Sequence, residues 1–312
     1  MNKEKKYTGI VVKSTGSNYL VESDNKIINC KIRGKFRIKG ISTTNPISVG
    51  DYVDFFIDND TGIITKIHNR KNYIIRRSTN LSKQYQIIAS NIDNVFLIIT
   101  LFNPETTTEF IDRFLVTTEA FKINTILVFN KLDLYNKKQQ EFLDNFINIY
   151  NNAGYTCIKT STKTNLNIDK LKLITKNNIN VFSGHSGTGK SSLVNCLDKN
   201  LNIKIGKISD YHQKGKHTTT FAQMYKINNG GYIIDTPGIK AFGIIDEIKK
   251  TDLSKYFPEI FKFSKNCKFN NCTHYHEPNC AVKEAVENNL ISYNRYNNYI
   301  NILLDEKNKH RL

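Results

Sequence analysis

A glycine-rich segment near the middle of the chain contains the residues whose spacing most clearly predicts chemistry. Residues 184–191 read Gly-His-Ser-Gly-Thr-Gly-Lys-Ser, which fits G-x-x-x-x-G-K-[ST] in full, between an apolar run and an apolar helix start. The glycines allow backbone N–H groups to converge on phosphates, Lys190 reaches the terminal oxygens, and Ser191 offers a hydroxyl to Mg²⁺. The predicted phosphate-binding residues are Gly184, His185, Ser186, Gly187, Thr188, Gly189, Lys190, Ser191 and Ser192, and Lys190 is also predicted to be catalytic.

A second candidate for the same site is the tetrapeptide Asp235-Thr236-Pro237-Gly238. It follows the apolar residues 232–234, so the Asp235 carboxylate is expected at the carboxyl end of a buried strand. An Asp in that position contributes to the Mg²⁺ shell, and the Gly238 N–H is expected to face the γ-phosphate. Taken alone, the tetrapeptide is equally an ordinary turn, but its occurrence after a phosphate-binding motif favours a nucleotide site. The predicted magnesium ligands are therefore Ser191 and Asp235.

A third motif, which follows the apolar residues 126–129, predicts that the nucleotide base is guanine. The predicted base-binding residues are Asn130, Lys131, Leu132, Asp133 and Ser161. The Asp133 carboxylate only accepts hydrogen bonds, so it matches the N1–H and N2 amine of guanine and is mismatched against adenine N1. Asn130 is expected to support the base and the neighbouring loop, and the Lys131 stem to cover the ring. Ser161 is expected to direct backbone N–H groups to guanine O6, although an ordinary turn explains residues 160–163 equally well.

The residue that activates the attacking water is less evident. Position 239 is Ile, where many GTPases keep a Gln that orients the water. Our hypothesis is that His217 positions or polarises the water, and the alternative is a solvent-facing loop His. Either Thr219 or Thr220 is expected to complete the Mg²⁺ shell. An incomplete site of this kind predicts slow hydrolysis alone and faster hydrolysis when a partner orders the segment.

Cysteine and histidine residues near the C-terminus have the spacing of a metal site. Cys267, Cys272, His274 and Cys280 supply three thiolates and one imidazole, which is a closed tetrahedral set suited to structural Zn²⁺. His276 competes with His274 by spacing alone, and free surface cysteines in a reducing cytosol are the alternative. Because no ligand position is left for water, we expect this metal to have no catalytic role.

Two different patterns predict the elements that position these residues. The expected N-terminal strands, which suit a small closed β-barrel, are residues 9–12, 18–22, 26–32, 51–57 and 62–68. The alternation is lost around residues 72–87, where we expect a linker. From residue 91, apolar runs alternate with amphipathic helices, which predicts a mostly parallel sheet covered on both faces. The expected strands are 95–99, 126–129, 179–182 and 232–234, and one helix is expected to face them with Phe142, Leu143, Phe146, Ile149 and Tyr150. After about residue 248, the chain is expected to be helical.

The order of the motifs is rotated relative to an ordinary GTPase. An ordinary GTPase runs from the phosphate loop through D-x-x-G to N-K-x-D, whereas here N-K-L-D at residue 130 precedes the phosphate loop at residue 184 and D-T-P-G at residue 235. Permutation preserves strand neighbours when the original termini lie close together, so the same pocket can form from this order. The sequence therefore predicts a circularly permuted P-loop GTPase.

Together with G-K-H-T-T-T from residue 215 and the cysteine cluster, these motifs resemble those of the bacterial ribosome small-subunit-dependent GTPases. The resemblance covers essentially the whole chain. It implies an OB-fold RNA-binding domain at 1–72, a circularly permuted GTPase domain at 73–247 and a zinc-binding helical domain at 248–312, with His274 as the fourth zinc ligand. It also implies late maturation of the 30S subunit, with GTP hydrolysis stimulated by that subunit. The chain departs from the family pattern at Thr188, where Val is more common, and at Ser161-Thr162, where Ser-Ala is more common.

Charge is the main indication of a partner outside the nucleotide site. The chain has 45 Lys and Arg against 28 Asp and Glu, a net charge of +17, which favours nucleic acid as a partner over a merely solvated surface. The family resemblance implies that this nucleic acid is rRNA. Candidate RNA-facing residues are Lys31, Arg33, Lys35, Phe36, Arg37, Lys39, Lys262, Lys265 and Lys268. No apolar run approaches the roughly 20 residues of a spanning helix, and no signal peptide precedes the first strand. We therefore expect a cytoplasmic protein without a membrane partner, and a monomer because no heptad pattern is present.

Three other interpretations explain parts of the sequence. An ATP-using kinase would share the phosphate loop, but Asp133 and the D-T-P-G segment argue against it. An RNA-binding module with a decayed nucleotide site predicts missing motif residues, yet Lys190, Ser191 and Asp235 are present. A permuted GTPase that acts on the large ribosomal subunit is disfavoured only by the family resemblance.

Overall fold

The computed structural model describes residues 5–32, 45–77, 85–201, 222–235 and 248–305. Their contacts divide the chain into two compact units. The first unit is built from the described parts of Met1–Val95, Asp169–Phe182 and Val194–Ala241, and the second from Phe96–Ile168, Ser183–Leu193 and the described part of Phe242–Leu312.

The first unit begins with a closed five-stranded barrel. Its strands are β1 (Tyr7–Ser14), β2 (Tyr19–Ser23), β3 (Lys26–Ile32), β4 (Tyr52–Asp58) and β5 (Thr61–Ile67). The pairings β1–β2, β2–β3, β3–β5, β5–β4 and β4–β1 complete the circle. Asp24 and Asn25 both have positive φ, as a tight two-residue hairpin requires. Alternate side chains fill the interior, where Val11, Tyr19, Val21 and Ile64 are fully buried. The predicted barrel is confirmed.

The expected linker at 72–87 is wrong, because this segment contributes to a second small sheet. Strands β6 (Tyr73–Arg77) and β7 (Tyr85–Ser90) pair antiparallel, with a register shift between Ile74 and Ile75. Both of these isoleucines are buried. A bulge of this kind places consecutive residues on one face, so the period-two pattern that marks a strand is lost from the sequence.

A buried ion pair joins the barrel to this second sheet. Asp51 is fully buried and accepts hydrogen bonds from Arg70 Nε at 2.6 Å and from the Ser90 hydroxyl at 2.6 Å. The backbone N–H of Ser48 also donates to Asp51, at 2.8 Å. The carboxylate therefore has a full set of partners, which a buried charge requires.

Three further strands continue from the barrel within the first unit. They are β11 (Ile179–Ser183), β12 (Gln223–Lys226) and β13 (Tyr232–Asp235), in the order β11-β13-β12-β1. The β11–β13 pairing is parallel and the β12–β13 pairing is antiparallel. Asp235 is the last residue of β13, so the structure places its backbone at a strand end.

The second unit contains the other parallel strands and their covering helices. Strand β8 (Asn94–Ile99), most of which lies in this unit, is buried at every residue. It neighbours β9 (Asn124–Phe129), which pairs in parallel with β10 (Thr156–Lys159). Helices α1 (Thr108–Ala120) and α2 (Lys137–Asn152) connect these strands. Along the chain they are followed by α3 (Ile168–Thr175), which lies almost entirely in the first unit, and by α4 (Lys190–Leu197), whose first half lies in the second unit. On α2, Leu143, Phe146, Ile147 and Tyr150 are buried, whereas Phe142 is 55% exposed, contrary to our prediction.

The C-terminal segment is helical, as predicted. A 3₁₀ helix at Lys250–Tyr256 precedes α5 (Pro258–Ser264), α6 (Ala281–Glu287) and α7 (Tyr293–Leu304). Leu253, Phe257, Ile260 and Tyr299 form its core, and Val116 of α1 packs into the same cluster. None of the helices in the described ranges is long and apolar enough to cross a membrane.

Candidate nucleotide site and metal centre

The phosphate loop lies between β11 and α4 and has a tightly determined backbone. Gly184 and Gly189 have φ of 137° and 96°, which side chains rarely allow. A β-carbon at Gly184 would lie 2.3 Å from the Ile98 carbonyl oxygen, and one at Gly189 would lie 2.3 Å from Asn130 Nδ2. Only glycine therefore fits at either position.

Lys190 folds back over this loop from the first residue of α4. Its ammonium donates to the carbonyl oxygens of Gly184 at 2.8 Å and His185 at 2.5 Å. Thr188 is fully buried and its hydroxyl donates to the His185 carbonyl at 2.9 Å. The loop thus holds the Lys190 ammonium beside backbone N–H groups, and this arrangement attracts phosphate.

Asn130 connects the phosphate loop to the segment predicted to bind the base. Its side-chain amide donates to the Thr188 carbonyl at 2.9 Å, and its side-chain oxygen accepts from the Thr160 hydroxyl at 3.0 Å. Its backbone N–H donates to the Ile99 carbonyl, and only 1% of the residue is exposed. Three segments are therefore held together by one buried amide.

Asp133 and Ser161 are brought together although they are 28 residues apart. The Ser161 hydroxyl donates to Asp133 Oδ1 at 2.6 Å, and the same hydroxyl accepts from the Thr164 N–H at 3.2 Å. Ser161 is buried while Asp133 is exposed. Lys131 has φ of 65°, and its ammonium donates to the Asn103 carbonyl at 2.9 Å, while the Leu132 N–H bonds to the Thr160 carbonyl. The carboxylate is thereby oriented but remains accessible to a ligand.

The predicted metal ligands Cys267, Cys272, His274 and Cys280 form one cluster, with ligand atoms all within 4.8 Å of one another. Cys267 Sγ and Cys280 Sγ are 3.8 Å apart, and they lie 3.5 and 3.4 Å from His274 Nδ1. Zn–S bonds of about 2.3 Å and Zn–N bonds of about 2.0 Å at tetrahedral angles give edges of this length. The donor set and its geometry therefore fit one tetrahedral ion. His276 is exposed, lies outside this cluster and has its ring beside that of Tyr275, with centroids 3.7 Å apart, so the alternative fourth ligand is wrong.

Comparison with known proteins identifies the family of this chain. The family described as RsgA GTPase matches residues 67–245, and the RsgA N-terminal domain matches residues 8–64. The chain belongs to the RsgA GTPase family. It is 54% identical to the small ribosomal subunit biogenesis GTPase RsgA of Flavobacterium psychrophilum, over 97% of this chain and 94% of that protein. It is 51% identical to the RsgA of Phocaeicola vulgatus, over 97% and 98% of the two chains.

Two solved structures have the same fold. YjeQ from Thermotoga maritima is 37% identical with a TM-score of 0.78, over 96% of this chain and 98% of that one. YloQ, described as a circularly permuted GTPase, is 30% identical with a TM-score of 0.76, over 97% and 96%. The predicted permuted GTPase with an N-terminal barrel is therefore confirmed, and membership of the RsgA GTPase family makes this chain a GTP hydrolase.

Burial shifts the pKa values of three residues of the cysteine cluster in this RsgA-family chain. Burial raises the pKa of the Cys272 thiol to about 12 and also raises the pKa of Cys280, while burial lowers the pKa of His274. Without a cation the Cys272 and Cys280 thiols are therefore protonated, and metal binding must displace their protons. His274 Nε2 is buried and has no hydrogen-bond partner among the described residues.

Glu277 orders the loop between the ligands. Burial favours its neutral form, but hydrogen bonds from the Thr273 N–H, the Thr273 hydroxyl and the Tyr275 N–H outweigh burial and lower the pKa of Glu277 to about 2. From α7, the Tyr296 hydroxyl donates to the His274 carbonyl at 2.7 Å and the Tyr299 hydroxyl to the Thr273 carbonyl at 2.8 Å. The loop that contains the four predicted metal ligands is thus held by Glu277 within it and by two tyrosines of α7.

Several predicted residues lie outside the described part of the chain. His217, Thr219 and Thr220 fall within 202–221, and Gly238 falls within 236–247. Of Asp235, only the backbone is described. The candidate RNA-facing residues Arg33, Lys35, Phe36, Arg37 and Lys39 lie in 33–44, which is also outside the described ranges.

Three residues that sequence reasoning missed take part in the site. Thr160 bonds to Asn130, Asn103 bonds to Lys131 through its carbonyl, and Phe110 lies against His185 with ring centroids 4.0 Å apart. Thr160 directly precedes the predicted Ser161, which is a weak signal. No local motif contains Asn103 or Phe110, because each acts only through the tertiary structure.

Proposed function

We propose that this chain hydrolyses GTP during biogenesis of the small ribosomal subunit. The observation that carries the proposal is the arrangement around Asn130, which joins a phosphate loop to the Asp133–Ser161 pair through bonds of 2.6–3.0 Å. One end of this arrangement suits phosphates and the other presents an accessible carboxylate to a base with two adjacent donors. The names of the RsgA relatives add the small-subunit role.

Within this site, we assign phosphate binding to residues 184–192 and base recognition to Asn130, Lys131, Leu132, Asp133 and Ser161. The Ser191 hydroxyl is a hard oxygen ligand at the start of α4 and suits Mg²⁺, and Asp235 is the second proposed ligand from its motif alone. When bound, Mg²⁺ neutralises charge that develops on the phosphates. Lys190 stabilises the same charge, His217 positions or polarises the attacking water, and Thr219 or Thr220 completes the magnesium shell.

We propose Zn²⁺ as the ion of the Cys267–Cys280 cluster. Three thiolates and one imidazole in a closed, largely buried set favour zinc over the hard cations, which prefer oxygen. All four positions are supplied by the protein, which suits a structural ion. We also retain the division into an RNA-binding barrel at 1–72, a GTPase domain at 73–247 and a zinc-binding helical domain at 248–312.

We propose the 30S subunit and its rRNA as the partner of a monomeric, cytoplasmic enzyme. The net charge of +17 supports binding to phosphate backbones. Lys262, Lys265 and Lys268 are exposed and form no ion pair within the described residues, and Phe261 and Phe269 beside them are 39% and 40% exposed. Exposed rings between lysines suit RNA, where unpaired bases stack and phosphates attract ammonium groups.

Phosphate release from GTP and from ATP, each with and without isolated 30S subunits, tests the proposal. We expect slow release from GTP alone, a steep rise with 30S subunits and none from ATP. A Lys190→Ala variant is the control for contaminating enzymes, because it removes the cation held over the loop. Phosphate release from ATP would contradict the assignment of guanine as the base. An equal rate of GTP hydrolysis with and without 30S subunits would contradict the 30S subunit as the partner.

A further inference from the structure

The C-terminal helices contain an arginine that is buried against the GTPase core. Arg295 of α7 is 2% exposed and bonds to Glu259 of α5 through Nε at 2.7 Å and Nη2 at 3.0 Å. Its remaining nitrogen, Nη1, donates to Asp112 of α1 at 2.5 Å. Asp112 is fully buried. The arginine therefore joins α5 and α7 to α1 by a charged contact within one compact unit.

Asp112 is the centre of a wider network. Asn298 of α7 donates to its second carboxylate oxygen at 2.7 Å, and the Tyr150 hydroxyl of α2 donates to the first at 3.1 Å. The rings of Tyr150, Tyr155 and Phe257 lie 4.8–5.6 Å from the guanidinium carbon. Buried ion pairs add little net stability relative to apolar packing, but they tolerate few geometries. The network is therefore suited to holding α1 in one position.

The first turn of α1 reaches the phosphate loop. Phe110, two residues before Asp112, lies against the His185 ring with centroids 4.0 Å apart. The helix start is capped by Thr107, whose hydroxyl accepts from the Phe110 N–H at 3.3 Å. Just before it, the Pro104 ring lines the space beside Gly187, where an added β-carbon would lie 3.6 Å away. One face of the phosphate loop thus rests on residues 104–110.

We propose that Arg295 is a positioning residue for the phosphate loop. By holding Asp112, it sets the place of the first turn of α1 and hence the support that Phe110 gives to His185. The segments of Asp133 and Ser161 are held by bonds that do not involve α1, from the Thr164 N–H to the Ser161 hydroxyl and from the Leu132 N–H to the Thr160 carbonyl. Phosphate binding should therefore depend on Arg295, while discrimination between bases should not. This inference rests on the proposed nucleotide site.

The test compares GDP affinity in four variants of the full-length protein, measured well below each melting temperature. Arg295→Lys keeps the charge but loses the fork that spans Asp112 and Glu259. Asn298→Ala removes one bond to Asp112 and is the milder variant if Arg295→Lys does not fold. Phe110→Leu removes the ring from His185. Tyr299→Phe is the matched control, since it loses one hydroxyl bond from α7, to the Thr273 carbonyl, without involving Asp112.

We expect Arg295→Lys or Asn298→Ala, and likewise Phe110→Leu, to weaken GDP binding about fivefold or more, the lower range of typical coupling between sites. The preference for GDP over ADP should be unchanged. A double variant that combines Phe110→Leu with Arg295→Lys or Asn298→Ala should weaken GDP binding by less than the product of the two single fold-changes. Folded variants with wild-type GDP affinity would overturn the inference. So would a double variant whose loss of GDP affinity equals the product of the single losses, or a Tyr299→Phe variant that loses as much GDP affinity as the network variants. Wild-type protein that binds no GDP would instead refute the proposed function.

Discussion

At the scale of single residues, the contact between Asp133 and Ser161 orients the carboxylate that we propose recognises the base. Ser161 is buried and its hydroxyl is also fixed by the Thr164 N–H, so it holds one carboxylate oxygen in place. A carboxylate that is oriented before the ligand arrives loses little freedom on binding. Selection should therefore follow the charge and acceptor character of Asp133.

Asp133→Asn is predicted to exchange guanine specificity for xanthine specificity. The variant presents an amide donor to the guanine amine, and an unsatisfied donor costs about 1–3 kcal/mol, so GTP affinity should fall roughly 10- to 100-fold. Xanthine has a carbonyl where guanine has the amine, and it should bind better than in the wild type. Competition of GTP and XTP against a fluorescent nucleotide measures both effects. An unchanged ratio of the two affinities would show that Asp133 does not contact the base.

A second residue-scale prediction concerns acid stability of the barrel. The hydrogen bond from His68 holds the pKa of Asp54 below its ordinary value, burial opposes this, and the Thr8 hydroxyl lowers it further. A lowered folded-state pKa contributes stability that is complete above the unfolded value of about 3.9 and is lost as pH falls through the folded value.

The Asp54→Asn variant should therefore be less stable than the wild type at pH 7, and the difference should shrink below about pH 4. Urea unfolding at several pH values measures it. Asp58→Asn, an exposed site on the same strand, is the control and should show no such trend. A constant difference for Asp54→Asn across the pH range would contradict the assignment.

At the scale of elements, the spacing of apolar residues predicted the buried face of an element where that face is uniformly covered. On α2, the buried residues Leu143, Phe146, Ile147 and Tyr150 follow the spacing i, i+3, i+4, i+7, which is one stripe of a helix. Phe142 lies beside that stripe, and its ring lies 6.3 Å from that of Phe102. Residue type alone could not separate Phe142 from Ile147, because both are apolar and only packing decides which one is covered.

The loop that contains the cysteine cluster should depend on its metal. Its thiols lie on the segment between α5 and α6, where a bound ion would join all three to His274. We expect Cys272→Ala to lose the bound ion and His276→Ala to keep it, because His276 is exposed and outside the cluster. Metal content per chain after dialysis against a weak chelator measures both. Loss of the ion in His276→Ala would mean that the ligand set is misassigned.

At the scale of the whole molecule, the positive charge predicts how binding to the small subunit responds to salt. Replacing Lys262, Lys265 and Lys268 by Ala removes three exposed charges that form no ion pairs in the described structure. Each phosphate contact contributes about 0.7–0.9 to the slope of log K against log salt, so three contacts should reduce it by about 2–3.

Binding to 30S subunits across a range of salt concentrations measures that slope. The matched control replaces Lys137, Lys138 and Lys170, which are also exposed and change the net charge equally. Equal slopes for the two triple variants would show that only total charge matters and that the C-terminal lysines do not contact RNA.

Sequence alone determined the motifs and most of the elements of this protein, whereas the tertiary structure decided how they meet. The phosphate loop, the N-K-L-D segment and the cysteine cluster are each short, so their chemistry is encoded in adjacent residues. The bonds from Asn130 to Thr188, 58 residues away, and from Arg295 to Asp112, 183 residues away, have no local signature. Such contacts depend on which elements pack together, because burial and hydrogen bonding are satisfied only in the complete fold.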